Sequence, residues 1–344
     1  MAGIIGDLSP SNDGRMDATG GNPFMRVLVV GAGAIGGYFG GRLLQAGRDV
    51  TFLVRPRRAA ELADSGLIIK SRHGDVYLRK PPTILSENIG RPFDLVLLSC
   101  KAYDLAGAMD SFAAAVGPET LVLPLLNGMR HLDMLDARFG ASFILGGQCV
   151  IAATLDAQRA IVHLDGNHKL TFGERDGVIS QRIRHVASTL DNAGFDASLS
   201  DHIVQEMWEK WVFLATLAGA TCLMRAPIGD IVASPGGHEM IRSLLEECRA
   251  IAQEAGRAPR AAFLEQASAA LTATGSPLTA SMLRDVEANA PVEADHIVGD
   301  LLRRRGSAHL LGKQLSQLVT AYTHLKAYEA RRARMLGSTP QAGK

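Results

Sequence analysis

Residues 25–55 read MRVLVVGAGAIGGYFGGRLLQAGRDVTFLVR, and this stretch decides the fold. Met25 to Val30 is a run of apolar, mostly β-branched residues, the pattern of a strand buried on both faces in a parallel sheet. The loop Gly31, Ala32, Gly33, Ala34, Ile35, Gly36 follows. Tyr38 to Ala46 reads as a helix, and Gly47 supplies the left-handed residue that closes it. Asp49 to Val54 reads as a second strand. Strand, glycine loop, helix and strand in about thirty residues make a βαβ unit. The spacing Gly-x-Gly-x-x-Gly is weak alone, but a strand before it and a helix after it are the context it requires. Gly31 permits a tight turn, Gly33 lets a pyrophosphate approach the backbone, and Gly36 lets the helix pack on the sheet. The helix start offers unpaired N–H groups to phosphates. Gly37, Gly40 and Gly41 extend the small-residue face toward the sheet. A purely structural glycine turn is the alternative.

Two further buried strands are expected at Leu95 to Cys100 and Leu121 to Leu126, stopping at Lys101 and Asn127. Ligands of open parallel sheets bind at the carboxyl ends of strands, so both polar residues are drawn to one crevice. Strand patterns recur at Gln148 to Thr154, Ala160 to Leu164 and Lys169 to Phe172, with a turn signal at Asp165-Gly166-Asn167. After about Ser200 helical patterns dominate: Ile203 to Met224, Gly237 to Ala255, Ala261 to Ala273, Val292 to Arg305 and Gln314 to Met335. The fold expected is an α/β Rossmann domain with a doubly wound parallel sheet, followed by an all-helical domain. Residues 1–24 read as a disordered extension, with Met25 as the native start. Residues 25–200 read as the dinucleotide domain, 201–336 as the helical substrate and catalytic domain, and 337–344 as a disordered tail.

The end of the second strand distinguishes the two nicotinamide dinucleotides. Binders of NAD place an acid there for the ribose hydroxyls. Here the chain has Arg55, Arg57 and Arg58, which suit a 2′-phosphate through charge-assisted, bidentate hydrogen bonds. NADP(H) is therefore the expected cofactor, with Arg55 the first ligand and Arg57 or Arg58 assisting. A solvated basic loop is the alternative.

The net charge of +1, from 36 basic and 35 acidic residues in 344, gives no electrostatic case for nucleic acid or an anionic membrane. No segment reaches the roughly 18 apolar residues of a membrane span, and no secretory signal pattern opens the chain. Cys100, Cys149, Cys222 and Cys248 form no Cys-x-x-Cys pair and no zinc-spaced cluster. The expectation is a cytoplasmic protein without a metal. The ten histidines show no spacing of a ligand set or triad and are read as structural or surface residues.

The glycine loop and Arg55, together with Ser99-Cys100-Lys101-Ala102-Tyr103-Asp104, Leu126-Asn127-Gly128-Met129, Met207-Trp208-Glu209-Lys210, Ser281-Met282-Leu283-Arg284-Asp285-Val286-Glu287 and Glu293-Ala294-Asp295, resemble the ketopantoate reductase (2-dehydropantoate 2-reductase) family over nearly the whole chain after Met25. The resemblance implies an active site in a cleft between a Rossmann and a helical domain. Lys210 corresponds to the general acid that protonates the keto oxygen as hydride arrives. Lys101 and Asn127 correspond to residues lining the cofactor and substrate side. Glu293 corresponds to a glutamate that contacts cofactor and organises the site, Ser281 to a substrate contact, and Ala153 to an alanine near the nicotinamide. The chemistry agrees: an ammonium stabilises the developing alkoxide and donates a proton, and the apolar setting of Lys210, among Trp208, Trp211 and Val212, is expected to lower its pKa. A lysine snorkelling to water is the alternative.

The pattern also breaks. The family's asparagines four and eight residues past the lysine are Leu214 and Ala218 here, on the same helical face. A later asparagine is Val298, and the Pro-x-Asn near Leu310-Leu311-Gly312 is absent. Leu214 and Ala218 are thus expected to line a more apolar substrate pocket. The function expected is NADPH-dependent reduction of a 2-keto acid to a 2-hydroxy acid, as ketopantoate to pantoate in pantothenate biosynthesis, by a chain that could pair as a homodimer. The alternatives are an NADP-linked hydroxyacid dehydrogenase with a more apolar substrate, or a non-enzymatic NADPH-binding sensor.

Overall fold

The computed structural model describes residues 24–305 and 317–337. The expected extension before Phe24, the residues around Leu311 and the tail after Gly337 lie outside the described residues. The strands are β1 (Val27–Val30), β2 (Val50–Leu53), β3 (Leu67–Lys70), β4 (Val76–Leu78), β5 (Thr83–Ile84), β6 (Leu95–Leu98), β7 (Leu121–Pro124), β8 (Gly146–Leu155), β9 (Ile161–Gly173) and β10 (Asp196–Leu199). The helices are α1 (Ala34–Gln45), α2 (Pro56–Ser65), α3 (Leu105–Phe112), α4 (Arg130–Phe139), α5 (Gln181–Leu190), α6 (Ile203–Met224), α7 (Ile228–Ala233), α8 (Gly237–Glu254), α9 (Ala261–Leu271), α10 (Ser281–Glu287), α11 (Asp300–Arg303) and α12 (Gln317–Gly337). The chain divides into two compact units. One runs to Cys100 and adds Ala106–Leu125 and Arg138–Asp201; the other comprises Lys101–Leu105, Leu126–Ala137 and the chain from His202 onward. Among the described residues no helix is long and apolar enough to cross a membrane.

The first unit is built on a parallel sheet in the order β5-β2-β1-β6-β7. This is the strand order of a Rossmann sheet without its last strand, and the topological switch point, where successive strands begin to add on the other side, lies between β1 and β6. Its central strands are fully buried, which is why they read as continuous apolar runs. A second sheet, β10-β9-β3-β4 with β8 on β9, was not separable from sequence, because β3, β4 and β10 are short and each carries an exposed position, unlike the wholly buried β1, β6 and β7. Helix α1 lies between the two sheets, and its glycines explain how. A Cβ on Gly40 would stand 2.7 Å from Phe52 and 2.9 Å from Val29 of the first sheet, whereas one on Gly37 or Gly41 would stand 2.5 to 2.9 Å from Ile161, Ile69 or Leu67 of the second. The helix needs small residues on both flanks.

One expected turn is corrected. Asp165-Gly166-Asn167 does not separate two strands but sits inside β9. The register passes from Ile151↔His168 to Ala153↔His163, so residues 164–167 face Ala152 alone. Asp165 accepts the Asn167 N–H at 3.2 Å and the Ala152 N–H at 3.4 Å, which gives turn chemistry to a wide bulge. The hairpin itself closes at residues 156–159, where the Asp156 carboxylate accepts from the N–H groups of Gln158 and Ala160.

The second unit is helical, with α6 against α8, α10 and α12. Here too a reading is revised. The segment expected as one helix from Val292 to Arg305 is a π-helical turn at Asp295–Gly299 followed by α11. Trp211 of α6 donates its indole N–H to the Ile297 carbonyl at 2.8 Å. A Cβ on Gly299 would press into the Tyr322 ring at 2.8 Å. Packing from α6 and α12 thus replaces the regular ladder. Such turns recur at functional sites.

Candidate active site

In the first unit, β1 delivers the chain to Gly31, whose φ of +94° is open to glycine and strained for other residues. Gly33 is the N-cap of α1 and brings no side-chain cap to its first N–H groups, and no acid stands in its first turn. A Cβ on Gly33 would meet nothing within 4 Å, whereas one on Gly36 would stand 2.1 Å from the Ser99 hydroxyl and 2.2 Å from the Gly31 carbonyl. Ser99 follows β6 and donates to the Val30 carbonyl at 3.0 Å or to that of Gly31 at 3.3 Å. The loop is therefore clasped from below by Ser99 and open above Gly33. Arg55 is exposed and caps α2. Arg57 and Arg58 both bond Glu61, each at 3.1 Å, and Arg58 also donates to the Ala32 carbonyl at 3.3 Å. Ala153 is half-buried on β8, where the register shifts.

In the second unit, Lys101 lies 3.1 Å from Asp285 and 3.6 Å from Glu293. Glu293 also accepts the Ala102 N–H at 2.8 Å. Burial opposes the Lys101 charge, but Glu293 and Asp285 outweigh it, and the ammonium titrates above its ordinary value. The geometry brings Lys101 and Glu293 together directly, and adds Asp285. Ser281 is exposed at the start of α10, one turn before Asp285 on the same face.

The segments that carry Asn127 and Lys210 are held at the π turn by their sequence neighbours, Gly128 and Trp211. Gly128 has φ +78°, and a Cβ there would stand 2.9 Å from the His296 carbonyl; Trp211 holds Ile297. The Glu293 main-chain carbonyl accepts the N–H groups of His296 and Ile297 at 3.1 and 3.0 Å. The π turn is thus a hub to which the segments bearing Asn127, Lys210 and Glu293 are tied. Lys210 and Leu214 are half-buried, Ala218 and Val298 are buried. Beside Lys210, Glu209 is buried and takes the Arg260 guanidinium at 2.8 Å and the Arg260 N–H at 2.9 Å, anchoring α6 to the start of α9. Burial pushes the Cys222 and Cys248 thiols up to about 12, so neither is a reactive group.

Two family models match the chain. The one described as ketopantoate reductase PanE/ApbA matches residues 27–177, and its C-terminal counterpart matches residues 202–329. The chain belongs to the ketopantoate reductase family. Among the relatives of this family member is an uncharacterized oxidoreductase, YkpB, of Bacillus subtilis (strain 168), 36% identical and spanning 89% of this chain and 99% of that protein. The 2-dehydropantoate 2-reductase of Methylococcus capsulatus superposes with a TM-score of 0.78 at 26% identity, over 92% of this chain and 99% of its own. D-mandelate dehydrogenase, solved with NADH and anilino(oxo)acetate, shares the fold with a TM-score of 0.78 at 20% identity, over 89% and 99% of the two chains. This ketopantoate reductase family member is accordingly an oxidoreductase.

Proposed function

We propose that the protein reduces a 2-keto acid to the 2-hydroxy acid with NADPH, residues 25–200 serving the cofactor and residues 201–336 the substrate. The observation that carries this reading is the convergence on one π turn of the segments bearing Lys210, Asn127 and Glu293, with Lys101 paired to Glu293. A nicotinamide dinucleotide fits the loop: the space above Gly33 is open and the N–H groups at the α1 start carry no side-chain cap. When bound, it supplies the hydride that reduces the carbonyl carbon.

Gly31 to Gly36, with Ala32, Ala34 and Ile35 between, would cradle its phosphates through backbone N–H groups, and Arg55 would bind the 2′-phosphate. Lys210 donates a proton to the keto oxygen as charge develops there, and regains it from water through its exposed side. Lys101 holds anionic charge of cofactor or substrate. Glu293 keeps Lys101 and the 101–105 segment in place and meets the cofactor with Asn127, while Ala153 borders the nicotinamide. Ser281 bonds the substrate.

Leu214 and Ala218 offer an apolar wall where hydrogen bonds, each worth about 0.5–1.5 kcal/mol, would otherwise hold a polar tail. That favours a substrate more apolar than ketopantoate. Steady-state kinetics over a panel of 2-keto acids tests this. Higher kcat/KM for branched or aromatic tails is expected; ketopantoate preferred above all others would restore the family's own substrate; and no NADPH oxidation with any carbonyl would favour a sensor.

A further inference from the structure

Of the three arginines at the end of β2, two are already committed to a carboxylate. Glu61, one turn along α2, accepts from Arg57 and Arg58 at 3.1 Å each. A third guanidinium, that of Arg159 in the β8–β9 turn, reaches the same carboxylate at 2.8 Å. Arg159 is held in a left-handed conformation with φ of 62°. Arg58 is 12% exposed and turned back onto the Ala32 carbonyl of the glycine loop, so it braces the loop and does not face an incoming ligand. Arg57 is 89% exposed and is the one a phosphate would have to draw away from Glu61.

We propose that Glu61 is a specificity-determining residue: its carboxylate restrains the arginine cluster and weakens discrimination in favour of the dinucleotide that bears a 2′-phosphate. The inference rests on the assignment of the glycine loop to a dinucleotide. The physical basis is competition. Carboxylate and phosphate both seek planar, bidentate guanidinium contacts, and Glu61 lowers the positive charge that the phosphate meets. The carboxylate itself is held below its usual range, since the bonds from Arg58 and Arg57 outweigh its partial burial. It therefore stays charged wherever the protein is folded near neutrality.

The test is calorimetric titration of the full chain with adenosine 2′,5′-bisphosphate and with AMP, which differ in the relevant phosphate alone. Glu61→Gln, which keeps size and polarity, should tighten the bisphosphate roughly two- to fivefold, the scale of one exposed charge pair, and leave AMP essentially unchanged. Glu61→Asp should keep the wild-type ratio. A merely structural role would move both ligands in parallel and leave the ratio unchanged, and that result overturns the proposal while keeping the dinucleotide site. Failure of the wild-type chain to bind either nucleotide overturns both.

Discussion

Acid should loosen the helical unit through one buried imidazole. His296 sits in the π turn and is 5% exposed. It stacks on His131 with ring centroids 5.6 Å apart, and the two rings share a 3.3 Å nitrogen–nitrogen contact. Burial, and then the nearby Arg130, Arg303 and Arg304, push it down to about 4, against the opposing pull of Asp133. An unfolded chain would bind that proton near the ordinary histidine value of about 6.5. The folded state prefers neutral imidazole, so its stabilising contribution is intact above about pH 6.5 and is lost progressively as pH falls toward about 4. The full loss is about 3 kcal/mol, and between about pH 8 and pH 5 it is about 2 kcal/mol. Urea denaturation at those two pH values, on wild type and on His296→Gln, reads it out. The pH-dependent difference in midpoint should shrink in the variant by the His296 share, leaving that of His168 and His324, which burial also holds below their usual range, whatever its absolute stability. Equal pH slopes for the two proteins would refute the reasoning.

Gly36→Ala should cost more than the 1–3 kcal/mol typical of overpacking, because its Cβ would overlap the Gly31 backbone carbonyl; thermal melting and nucleotide titration should both register it. Gly128→Ala combines a left-handed backbone with a clash against the His296 carbonyl, and should lower turnover more than cofactor affinity in steady-state and binding assays. Arg260→Ala removes the guanidinium bonds of a buried Glu209 carboxylate, leaving the side-chain bond from Gln205, and should destabilise by about 1–3 kcal/mol, measured by urea midpoint, with Arg260→Lys recovering part.

What sequence disclosed follows the range of the interactions involved. The βαβ unit was legible from residues 25–55 because turn, cap and buried strands are local patterns. Helix α6 was legible end to end, since its apolar run is long. The partnership of Lys101 with Asp285 was not, because 184 positions separate them, although Asp285 stands one turn past Ser281 in a motif already singled out. Nor was Glu61 visible as a partner of Arg57 and Arg58: an acid three and four residues on reads as ordinary helix surface. The π turn was hidden because its cause, the Trp211 indole on the Ile297 carbonyl, comes from another helix. The histidine cluster was hidden for the same reason. His73 and His168 stack at 3.8 Å and the Tyr38 hydroxyl bonds His168 at 2.8 Å, a structural cluster assembled from segments far apart in the chain.

Lys210 is the centre of the functional account, and its substitution is the most direct test. NADPH oxidation by wild type and Lys210→Ala should be followed with the best 2-keto acid of the panel, alongside NADPH binding by fluorescence. The account predicts a fall in kcat of about 100-fold or more, the scale of a lost general acid, with cofactor affinity within about threefold. A variant that keeps wild-type kcat would contradict it.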